Sequence, residues 1–200
     1  MRSASLPVEA KSQNSLSEIE IVDSQLSRGD SSDNEDTDDE ESISLHSAVA
    51  NGRIGVVQRL LDRGADVNER DELFQTPLYV VSKNGKLNLA RTLIKYGADM
   101  DSRNPAGWNP LHEAVRYGHI DVVRLLLDNG ADVNAMQRHC QTPLHIASGH
   151  EYLEIVQLLL ERGANVQLQN VHGRTPCQEA STKGHRTISQ LLSQYGVGGA

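Results

Sequence analysis

Cysteine and aromatic residues are scarce in this 200-residue chain. It holds two cysteines, one tryptophan and one phenylalanine. Cys140 and Cys177 lie far apart and form no CxxC pair, which argues against a zinc site or a disulfide framework. A reducing setting, cytoplasmic or nuclear, fits that usage best. No apolar run approaches the roughly 20 residues of a membrane span. The first residues, MRSASLPVEAKSQNSLSEIEI, lack the apolar core of a secretory signal, so none is expected. No HExxH, P-loop, GxGxxG or Ser/His/Asp order is present, so neither a cofactor nor catalysis is expected.

Charge is present but uneven. The formal net charge is −8. Residues 1–42 carry twelve of the 27 acids and three of the 19 Lys and Arg. The remainder is therefore nearly neutral, with no basic stripe of the kind that marks a nucleic-acid footprint.

What the chain has in abundance is repetition. Apolar stretches end on a glycine in LLDRGADVN, LIKYGADMD, LLLDNGADVN, LLLERGANVQ and LLSQYGVGG. Those glycines are Gly64, Gly97, Gly130, Gly163 and Gly196. Ahead of each, in fixed phase, stand ISLHSA, TPLYVV, NPLHEA, TPLHIA and TPCQEA. This period with its TPLHxA opening resembles the ankyrin repeat. The resemblance implies an all-α solenoid of helix–turn–helix units joined by β-hairpin loops. It covers residues 43–200 as five repeats: 43–75, 76–108, 109–141, 142–174 and 175–200.

Local chemistry agrees. A threonine caps a helix and proline suits its first turn. Leu78, Leu111, Leu144 and the small Ala48, Ala114 and Ala147 are expected to point inward. Ile120, Val122, Val123, Leu126 and Leu127 form a helical stripe. No single unit can bury such a stripe, so end units need a polar outer face. Ser189, Ser193, Cys177 and Gln178 replace apolar or TPLH residues in the fifth repeat, which reads as a C-terminal cap. Residues 15–28 align with an outer helix and read, with the acidic loop to residue 42, as a degenerate capping half-repeat. Residues 1–14 are expected to be disordered. The segment IEIVDS, residues 19–24, also resembles a SUMO-interacting motif; the cap reading is preferred because Leu26 and Gly29 keep the repeat phase.

The stretch GWNPLHEAVRYGH, residues 107–119, sets Glu113 between His112 and His119. Repetition gives it an ordinary reading. His112 is matched by His46 and His145, and His119 by His185. In the ankyrin family both positions are structural. Trp108 is not required by the repeat: its counterparts are Gln75, Gln141 and Arg174. It is either packed on neighbouring hairpins or a binding anchor.

The resemblance also places a groove. On the hairpins it holds Leu73, Phe74, Gln75, Trp108, His139, Gln141, His172 and Arg174. At the inner-helix ends it holds Lys83, Arg116, Tyr117 and His150. Among groove positions only Glu72 is acidic, so an acidic or phosphorylated peptide is the expected ligand, with a solvated polar surface as the alternative. Phe74 and Cys140 stand where other hairpins have Gly107 and Gly173. A left-handed backbone there strains phenylalanine by on the order of 1 kcal/mol.

The acidic stretch DSSDNEDTDDEES admits three roles. It solubilises the chain, or is an acidophilic kinase target at Ser32 and Thr37, or folds over the groove as a lid that salt weakens. Asn68 and Asn134 resemble ankyrin asparagines that are hydroxylated; stabilising their hairpins is the plainer role.

Three functions follow. A non-catalytic adaptor binding a protein partner along the groove agrees with every regular feature. A histone-tail reader is suggested by GWNPLHEA, but Arg116 and Ile146 stand where such readers carry Asn and Asp. A regulatory subunit of an enzyme complex is the third. The chain is expected to be a monomer, with no direct contact to nucleic acid or membrane.

Overall fold

The computed structural model describes residues 43–197. Expectations for residues 1–42, including the half-repeat at 15–28, the lid, Ser32 and Thr37, lie outside the described residues.

Among the described residues ten helices occur and no strand. They form five pairs. The inner helices are α1 (Leu45–Ala50), α3 (Pro77–Lys83), α5 (Pro110–Arg116), α7 (Pro143–Gly149) and α9 (Pro176–Lys183). The outer helices are α2 (Ile54–Asp62), α4 (Leu87–Lys95), α6 (Ile120–Asp128), α8 (Leu153–Glu161) and α10 (Arg186–Val197). Most are too short to hold without tertiary support.

That support is specific. Thr76, Asn109, Thr142 and Thr175 each accept an N–H bond from the third helical residue, with proline following the cap. The first repeat departs from this register. Ile43 stands at the threonine position and has no acceptor, so Ser44 caps instead and α1 starts one residue later. Outer helices α2, α4, α6 and α8 have no side-chain cap. Residues leading them do other work, crossing to the last carbonyl of the inner helix of the preceding repeat. Lys86 Nζ donates to Ala50 O at 3.3 Å, His119 Nε2 to Lys83 O at 3.0 Å and His185 Nε2 to Gly149 O at 3.2 Å. Carbonyls that the helix leaves unpaired are thereby satisfied.

The crossing also explains a glycine. Gly85 has φ +68°, and a Cβ there would lie 2.5 Å from His119 Nδ1. At the matching place in the fourth repeat, Glu151 takes φ 62° and sets its carboxylate 3.5 Å from His185 Nδ1.

One continuous apolar cluster runs from Leu45 to Leu192. Leu78, Leu111, Leu144, Ala48, Ala114 and Ala147 are all fully buried within it. Inner helices pack on one another more closely than outer ones do. The small residues in the inner row, Ala48, Ala114, Ala147 and Ala180, permit that approach. The connecting hairpins are tight turns. Asp71 N bonds Gln75 O, Asn104 N bonds Trp108 O, and Asn170 N bonds Arg174 O. Adjacent hairpins are linked by Arg138 N to Ala106 O and Val171 N to His139 O.

In the fifth repeat, Ile188 and Leu192 are buried, while Gln178, Ser181 and Ser193 are exposed.

Candidate interaction face

The hairpins owe their shape to one position per repeat. Asp71, Asn104 and Asn170 each accept two backbone N–H bonds through a side-chain oxygen, from residues two and four places on. Gln137 takes the same place in the third hairpin and accepts from His139 N. This position was not singled out from the sequence. Its Asp/Asn/Gln/Asn identity in repeat phase was the available signal.

The histidines are structural in geometry. His46 Nε2 reaches Gln75 O at 2.9 Å, His112 Nε2 reaches Ala135 O at 3.0 Å and His145 Nε2 reaches Arg174 O at 2.9 Å. Burial lowers the pKa of His112 to about 4, against the two backbone acceptors that favour its charged form. Burial lowers that of His145 as well. Both rings are therefore neutral near pH 7, and each donates its one N–H from Nε2 to a hairpin carbonyl.

In the second repeat Tyr79 replaces this histidine, and it builds something different. Its hydroxyl donates to Glu113 Oε1 at 2.6 Å and accepts from Asn104 Nδ2 at 3.0 Å. Burial first, and the Glu113 carboxylate second, hold the phenol well above its ordinary pKa. Glu113 is 3% exposed. So the acid of the 107–119 stretch is bound to a tyrosine one repeat away, not to its flanking histidines. Tyr79, Asn104 and Glu113 together form a buried polar knot that periodicity alone did not indicate.

Next to this knot lies a cluster of rings and cations. Trp108 is half-buried, edge-on to His112 at 5.7 Å. The Arg116 guanidinium lies 5.1 Å from the Trp108 ring centre and 5.6 Å from that of Tyr117. Lys83 Nζ lies 6.0 Å from the same Tyr117 ring. Tyr117, 44% exposed, stacks on His119. The two readings of Trp108 meet here: one part packs on its repeat, and the rest underlies an exposed arginine.

The other anticipated residues are placed less uniformly. Leu73 and Phe74 are 65% and 55% exposed at the first hairpin tip. Phe74 has φ 59° and Cys140 φ 54°, so both take the left-handed turn that Gly107 and Gly173 take. Gln75 and Gln141 are half-buried, and Gln141 is tied to Gln137 at 3.0 Å. His150 is exposed; it donates to Ile146 O and stacks on Tyr152. His139 and His172 are exposed on their hairpins. Arg174 lies 3.7 Å from Glu179. Glu113 and Glu179 therefore add acids beside this face, where only Glu72 was expected. One is buried and one is ion-paired.

Asn68 and Asn134 each use Oδ1 to accept a backbone N–H from the next repeat, Asp99 at 2.7 Å and Asn165 at 2.8 Å. These bonds tie each loop to that of the following repeat. Among the described residues no group of three or more His, Cys, Asp or Glu is placed to hold a metal, and no helix is long and apolar enough to cross a membrane.

A family profile described as ankyrin repeats in three copies matches residues 45–137 and 135–198. No curated protein matches the chain.

Proposed function

This chain belongs to the ankyrin-repeat family, and we propose that it is an adaptor that binds an acidic or phosphorylated segment of a partner protein along its hairpins and inner-helix ends. Ankyrin repeats are protein–protein interaction modules and typically non-catalytic. The observation that carries the ligand class is the exposed cationic cluster of Arg116 and Lys83 on aromatic rings, with Glu113 buried beneath and bonded to Tyr79. Exposed Leu73 and Phe74 offer an apolar anchor on the first hairpin.

The basic-tail reading fits less well. Arg116 lies over the Trp108 face on which a ligand's own cation would stack, so an incoming lysine would meet like charge. A regulatory-subunit role is contained within the adaptor reading, since it acts through the same binding face.

The adaptor acts as a monomer in the cytoplasm or the nucleus, without contact to nucleic acid or membrane. Peptide binding to the full chain tests this, measured by calorimetry at low and moderate salt. Acidic peptides bind and weaken with salt. Preferential binding of basic peptides through Trp108 and Glu113 would return the function to the histone-tail reading.

A further inference from the structure

The guanidinium of Arg116 has no hydrogen-bond or ion-pair partner among the described residues, and neither does the Lys83 ammonium. Both are exposed. The two residues hold the same phase in adjacent repeats, at the last position of α3 and of α5. Both cations lie over one ring, that of Tyr117, at 6.0 Å and 5.6 Å from its centre. Trp108 supports the guanidinium from a second side, and Trp108 is itself fixed by its backbone bond to Asn104 and by His112.

Of the acids on this face, Glu72 is exposed at the first hairpin, and three others are engaged in bonds. Glu113, one turn before Arg116 on α5, is buried and accepts the Tyr79 hydroxyl. Glu179 faces Arg174. Asp71 is spent on the backbone of its own turn.

Two cations with no ion pair among the described residues, one of them held against rings, match a particular ligand. An arginine resting on aromatic faces loses little freedom when it donates its N–H fork, and that fork fits phosphate geometry. A phosphate monoester carries about −1.5 to −2 charges and three acceptor oxygens near neutral pH. A single carboxylate carries one charge and satisfies one cation. We propose that Arg116 and Lys83, on the Trp108–Tyr117 platform, form the subsite for a phosphorylated side chain of the partner. This rests on the adaptor reading above and narrows it from acidic ligands in general to one residue of the ligand.

The only tryptophan of the chain lies at this subsite, so its fluorescence reports occupancy. The full chain is titrated with peptide pools degenerate around one fixed central residue: phosphoserine, glutamate or serine. Inorganic phosphate serves as competitor, to separate a captured free anion from a peptide-borne one. The phosphoserine pool is expected to shift Trp108 emission and to bind at least about tenfold tighter than the glutamate pool. Arg116→Ala and Lys83→Ala each remove most of that preference. Arg116→Lys keeps the charge yet loses it too, because the fork and the stacking are lost. Thermal melts of each variant check that the stack still folds. Phosphoserine and glutamate pools binding alike, or a preference that survives Arg116→Ala in a folded variant, would overturn the subsite and leave the acidic-peptide adaptor standing. Inorganic phosphate shifting Trp108 emission without any peptide-borne preference would overturn it also. Failure of both acidic pools to bind would overturn the adaptor reading with it.

Discussion

Phe74 is held in a left-handed turn at φ 59° with 55% of its surface in water. Such a conformation costs a residue with a Cβ on the order of 1 kcal/mol, and little burial offsets it. Phe74→Gly is therefore expected to raise stability in urea by up to about 1 kcal/mol, less the extra freedom glycine has when unfolded. It is also expected to weaken partner binding. A loss of stability would instead mean that Phe74 packs against the first repeat. The sequence made this position legible, because Gly107 and Gly173 mark what the turn wants. It did not make the Tyr79–Glu113–Asn104 knot legible. Those residues lie in two different repeats, and only the stacked geometry shows that the tyrosine hydroxyl reaches Glu113.

At the scale of the helix pair, stability comes from buried apolar rows and from bonds that cross between units. Leu126 of α6 is fully buried. Leu126→Ala is expected to cost roughly 2–5 kcal/mol through transfer and cavity terms, read as a lower midpoint in urea at unchanged slope. The inner helices add a pH dependence. His112 is pushed down to about 4 from 6.5, and His145 is lowered as well, both chiefly by burial. In the unfolded chain these histidines gain protons below about pH 6.5, while in the folded chain they stay neutral to lower pH. The unfolded state then binds more protons, so stability is full above about pH 6.5 and falls as pH drops toward 4. Each contributes at most about 1.4 kcal/mol per pH unit. Melting His112→Gln beside the parent across that range checks it: the variant should lose part of the acid sensitivity. The helices themselves were readable from the 33-residue phase and the Thr-Pro openings. The outer-helix crossings were readable only in part. His119 and His185 carry a recognisable letter, but Lys86 performs the same bond with a different group.

For the molecule as a whole, the sequence fits the fold because each repeat supplies what its neighbour lacks. Carbonyls left open by one inner helix are closed from the outer helix of the next repeat, and apolar rows of single units join into one core. The ligand preference is a different kind of property. Period and composition indicate where a binding face lies, since the framework occupies the repeating positions and leaves others free. They do not indicate which charges there are already neutralised. The structure separates Arg174, which faces Glu179, from Arg116 and Lys83, which have no such partner. Under the proposed function this pair makes the face selective for anionic partners. Its most direct test is the affinity of the intact chain for one acidic peptide pool across a salt series, with Arg116→Ala and Lys83→Ala alongside. Binding is expected to weaken as salt rises, with a shallower salt dependence and lower affinity in both variants. Salt-independent binding that both variants retain would contradict it.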